Sequence, residues 1–117
     1  MMALLTAATF LGVAHAAEQP RPAFLQPEVL RAAAAIDMTD AQMSQFREAI
    51  SEFADARISM INKLRRRSNQ TDLPRKIRSK TNGLLRKLDK RVLGFLTEDQ
   101  ASAYDVYRNL LKDNMRP

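Results

Sequence analysis

The chain has 117 residues with 19 Lys and Arg against 13 Asp and Glu, a formal net charge of +6. It has no cysteine, which excludes disulfides and thiol chemistry, and its single histidine, His15, is the only imidazole available as a general base or metal ligand. Glycine is scarce (Gly12, Gly83 and Gly94) and strand-like alternation is absent, so the predicted class is all-α.

Met1 to Ala16 carry no charged side chain. Leu4, Leu5, Phe10, Leu11 and Val13 make an apolar run of the length of a secretory h-region, and Ala14-His15-Ala16 places small residues at −3 and −1 of a cleavage site. The n-region departs from the pattern in having no Lys or Arg. The expectation is a signal peptide over 1–16, cleaved near Ala16/Ala17, and hence a periplasmic, exported protein; the competing reading is a buried N-terminal helix. The run is too short for a stable membrane span. Cleavage would remove His15 and leave one domain over 27–117 after a flexible leader at 17–26.

A short helix is predicted from Pro27 to Ile36, with proline tolerated in its first turn. A long one follows from Thr39 to about Arg67. There Met43, Phe46, Ile50, Phe53, Met60 and Leu64 recur at three- and four-residue steps, which draws one apolar stripe. Arg57 occupies the missing position; it reads as a side chain snorkelling at a bundle edge, with register setting or ligand contact as the other readings. "SNQTD" at 68–72 is a loop by composition. The third helix should begin near Asp72, with the stripe Leu73, Ile77, Leu84, Leu88 and Phe95. Gly83 in its middle suggests a bend or a close helix contact, and Gly94 a C-cap or hinge. The last helix runs from Thr97 to about Asn114, with Tyr104, Tyr107, Leu110 and Leu111 facing inward.

The phrase "MTDAQ" at 38–42 returns as "LTEDQ" at 96–100. Thr39 and Thr97 can each accept from the backbone N–H three residues on, and Gln42 and Gln100 can reach back to the threonine N–H: two capping boxes. Met38 and Met43 can add a hydrophobic staple; Leu96 and Ala101 are the weaker counterpart. Asp40, Glu98 and Asp99 set negative charge at the helix starts.

Two boxes of this form on long helices resemble the Spy/CpxP family of periplasmic stress proteins, named for paired LTxxQ motifs. The matching residues are Met38, Thr39 and Gln42, then Leu96, Thr97 and Gln100, and the resemblance spans about 36–112. It implies a thin, curved hairpin with two long antiparallel helices that dimerises into a cradle. It further implies ATP-independent binding of unfolded proteins, or control of an envelope stress sensor. Some relatives bind zinc, nickel or cobalt through histidines, which the mature part of this chain lacks; no cofactor or metal site is expected.

From Lys63 to Arg91 twelve basic residues face only Asp72 and Asp89, a net of +10, so the remainder carries −4. Lys76, Lys80, Lys87 and Arg91 form one stripe beside Ile77, Leu84 and Leu88; Arg75, Arg86 and Lys90 point further outward. Such a face reads either as plain solvation, or as a surface that holds non-native protein by long-range attraction and short-range apolar contact. The candidate partner-binding residues are Arg57, Lys63, Arg65, Arg66, Lys76, Lys80, Lys87 and Arg91, with Phe53, Met60, Leu64, Ile77 and Leu84. Aromatics for base stacking are lacking among the basic residues, which disfavours nucleic acid; anionic lipid or lipopolysaccharide is a further partner class. Dispersed carboxylates, and the lack of a cysteine nucleophile, of a histidine after residue 16 and of a Gly-rich phosphate loop, argue against an enzyme. Three functions therefore stand at this point: a chaperone, a regulatory adaptor on an acidic sensor domain, and a metal-responsive sensor.

Overall fold

The computed structural model describes residues 22–67 and 70–116, and the export signal read over 1–16 lies outside them. Among the described residues are four α-helices and no strand. They are α1 (Pro27–Ala34), α2 (Asp40–Arg67), α3 (Leu73–Leu93) and α4 (Glu98–Asn114). Short 3-10 turns occupy Ala23–Leu25 and Gln70–Asp72. The all-α class stands, with helix ends within two residues of the predicted ones.

The described part of the predicted leader is packed on the body of the molecule. Ala23–Leu25 coil into a turn, and Ala23 and Phe24 pack against the core. At the end of α1, Ile36 is 2 % exposed. Asp37 then adopts the left-handed backbone (φ 59°), which few residues other than glycine, Asn and Asp visit.

α2 and α3 form an antiparallel hairpin, while α1 and the Ala23–Leu25 turn pack on α4. The core joins these two layers through Val29, Ile36, Phe46, Phe53, Leu85, Leu88, Val92, Tyr104, Tyr107 and Leu111. The Phe46 and Tyr107 rings meet edge to face at 5.1 Å, filling the space between α2 and α4. Overall extents are 53 × 43 × 19 Å; the short dimension is about two helix diameters, so the molecule is a thin slab. The core cluster stops at Phe53 on α2 and at Leu84 on α3. Beyond it the hairpin projects as an arm in which Ile77 is the only buried apolar side chain among the described residues.

One expectation for α3 is corrected. A Cβ at Gly83 would meet only the Arg86 guanidinium, at 3.7 Å, so no helix approaches closely there, and α3 runs through it unbroken. Gly94 does close α3 as its C-cap, in ordinary right-handed conformation.

Candidate functional site: joined caps and a cationic furrow

Both capping boxes are formed. Gln42 N donates to Thr39 Oγ1 at 3.1 Å, and Thr39 N to Gln42 Oε1 at 2.9 Å. In the second copy the corresponding distances are 3.3 and 3.0 Å. A box of this kind uses only the amide oxygen of its glutamine, and the leftover Nε2 groups find each other's box. Gln42 Nε2 donates to Gln100 Oε1, and Gln100 Nε2 to Gln42 Oε1, both at 2.9 Å. The second N–H of each goes to a backbone carbonyl two residues before the other copy's threonine: Gln42 to Phe95 (2.9 Å), Gln100 to Asp37 (3.0 Å). The two phrases thus form one local two-fold knot that starts α2 and α4 at the same point. Met38, Met43 and Leu96 pack beneath it against the core.

The same sequence offset of 58 joins these helices again further on, where Arg57 Nη2 donates to the Met115 carbonyl at 2.9 Å. Arg57 Nε donates to the buried Thr81 hydroxyl at 3.2 Å. Arg57 is therefore an anchor tying α2 to α3 and to the end of α4. Among the described residues no carboxylate lies within ion-pairing distance of it. Burial lowers its pKa from the ordinary arginine value.

Between α2 and α3, two adjoining grooves meet at Ala56, and no α4 residue lines either. The larger, about 430 Å³, has Met60 and Leu64 in it with Lys63, Arg67 and Lys80. The smaller, about 190 Å³, has Phe53, Leu84 and Leu88 with Lys87, Arg91 and Glu52. Together they make a shallow furrow along the hairpin, apolar inside and cationic at its edges. Arg91 is the exception among the cations, since it pairs with both Glu48 and Glu52.

The furrow gathers eight of the thirteen predicted contact residues: Phe53, Met60, Lys63, Leu64, Lys80, Leu84, Lys87 and Arg91. The other five do not join it. Arg57 and Ile77 line a different pocket, on the α4 side. Lys76 is half-buried on α3, and Arg65 and Arg66 are exposed on the last turns of α2, outside both grooves. Phe53 and Ile77 are 6 % exposed, each held by packing, so they give little area to a partner. Asp89, one of the two carboxylates in the basic stretch, serves the fold, because it accepts from the Tyr104 hydroxyl (2.8 Å) and pairs with Arg108.

A further apolar groove of about 600 Å³ lies between α1, the Ala23–Leu25 turn and α2, and the sequence patterns did not reveal it. Leu25 is 44 %, Leu30 48 % and Ile58 58 % exposed there. Leu30 belongs to a helix legible only by its propensity, and Ile58 lies off the α2 stripe; that off-stripe position was the available signal. Among the described residues no three His, Cys, Asp or Glu side chains converge to hold a metal ion, and no helix is long and apolar enough to cross a membrane. No family model, curated protein or solved structure matches the chain.

Proposed function

We propose that this chain is a periplasmic, ATP-independent chaperone of the Spy/CpxP type, which holds unfolded proteins along the furrow between α2 and α3. The observation that carries this reading is the furrow itself: Met60, Leu64 and Leu84 offer apolar contact while Lys63, Arg67, Lys80 and Lys87 surround them with positive charge. An acidic or mixed-charge segment is drawn in electrostatically and held by its apolar side chains. A shallow open groove imposes no particular side-chain sequence, which suits a broad set of clients.

A second copy of the chain is the occupant proposed for the apolar groove at α1. Its only charged lining residues are Arg47 and Asp55, of opposite sign. In a two-fold pairing the Arg47 of one copy can face the Asp55 of the other, as an isologous interface requires.

The test is aggregation of a chemically denatured client diluted into buffer without ATP, at low and at high salt. Suppression at an equimolar dimer, weakened by salt, is expected. No suppression, together with capture of one saturable partner from a periplasmic extract, would replace the chaperone by the adaptor that docks on an acidic sensor.

A further inference from the structure

A separate pocket of about 330 Å³ sits at the base of the arm, where α2, α3 and the end of α4 meet. Arg57, Arg78, Lys112 and Arg116 line it together with Thr81 and Asn82. On α4, Asp113 lies next to Lys112 in sequence and is engaged by Arg116 at 3.4 Å. Arg57, Arg78 and Lys112 have no carboxylate partner among the described residues. Cations crowded around one concavity repel one another unless an anion balances them.

Arg57 is already oriented. Its Nε and Nη2 are fixed by Thr81 and Met115, and Nη1 keeps two more N–H donors. The carbonyls at the end of α4 would repel an anion, but the Met115 carbonyl is taken by Arg57. Two guanidinium groups, an ammonium and the Asn82 amide together outnumber the acceptors of a carboxylate. They match a dianion with three terminal oxygens, for which arginine is the better-suited cation.

We propose that this pocket binds a phosphomonoester. The volume leaves room for the esterified group, so the phosphate can belong to a small phosphate ester or to a phosphorylated lipid headgroup. This site lies apart from the furrow and does not depend on the chaperone reading.

The test is calorimetric titration of the full chain with inorganic phosphate at about pH 7.5, where phosphate is mostly dianionic, with acetate alongside. Co-sedimentation is run in parallel with phosphatidylcholine vesicles containing phosphatidic acid. The variant Arg78→Gln/Lys112→Gln removes two exposed cations and spares the bonds of Arg57. The control Lys63→Gln/Lys80→Gln removes the same charge from the furrow. One saturable phosphate site is expected, weakened about tenfold or more by the first variant and little by the second, with acetate binding far more weakly. Vesicle binding that free phosphate competes away, and that the first variant loses, would assign the lipid source. Phosphate binding with vesicles ignored would assign the small ester. Absence of a saturable site, equal losses in both variants, or acetate binding as tightly as phosphate would each overturn the proposal.

Discussion

The side-chain amides of Gln42 and Gln100 exchange two hydrogen bonds of 2.9 Å across 58 residues of sequence. Each amide also closes the capping box of its own helix and reaches a carbonyl of the other copy's approach. Two helix starts that could each have stood alone are thereby one structure, and their energetics should be coupled.

Gln42→Ala and Gln100→Ala are each expected to cost about 2 kcal/mol, since each removes a cap contribution and strands the other amide and two backbone groups. The double variant should cost less than the sum by about 1 kcal/mol. Urea denaturation followed by circular dichroism measures all three. Strict additivity would mean that the two caps act independently.

Gly83→Ala is expected to stabilise the protein by about 0.5–1 kcal/mol. The position is mid-helix with ordinary room for a methyl group. A loss of stability would show that the helix needs the glycine for a reason other than packing.

Packing and holding should separate by position. Leu85→Ala empties a fully buried site and should cost about 2–5 kcal/mol. Met60→Ala and Leu64→Ala, half-buried on the arm, should cost about 1 kcal/mol or less each. Yet these two arm variants, and not a comparably folded control, should weaken suppression of client aggregation. Unchanged suppression in the Met60→Ala/Leu64→Ala double variant would remove the furrow from the proposed mechanism.

Tyr104 and Tyr107 are 1 % and 2 % exposed, and burial pushes both phenols above their ordinary value, aided at Tyr104 by Asp89. In the unfolded chain they ionise from about pH 10. The folded protein keeps these protons longer, so this stabilisation is complete below about pH 10 and is lost as pH rises toward the folded values. The loss runs at about 1.4 kcal/mol per pH unit for each tyrosine. Tyr107→Phe should reduce that slope by one tyrosine's share, read as urea midpoints between about pH 10 and 11.5. Parallel curves for the two proteins would contradict a protonated, buried Tyr107.

Local signals carried well from sequence to structure. Pro27, Pro74, Thr39 and Thr97 mark helix starts because caps and proline tolerance depend on neighbours a turn away. Stripe residues such as Phe46, Leu88, Tyr104 and Leu111 are in the core because helical period alone sets the face. What did not carry depends on which helices meet. The periodicity of α3 draws its stripe through Leu84, yet Leu85, Thr81 and Val92 are buried, because α3 touches two layers and buries a wider arc than a hairpin alone requires. Arg57, a snorkelling side chain by its place in the sequence, is anchored by Thr81 and by a carbonyl at the far end of the chain. The one clue to the glutamine pair was stoichiometric: each box leaves an amide nitrogen without work, and two such nitrogens on similar phrases invite each other.

α2 and α4 run side by side like the rails of a ladder with two rungs, one at Gln42–Gln100 and one at Arg57–Met115. A single rung would let one rail pivot, whereas two in the same register forbid slippage unless both break together. Beyond Arg57 the ladder has no further rung, and the hairpin continues there without the core cluster beneath it. The pocket lined by Arg57 therefore lies at the second rung, where the packed body gives way to the thinner arm.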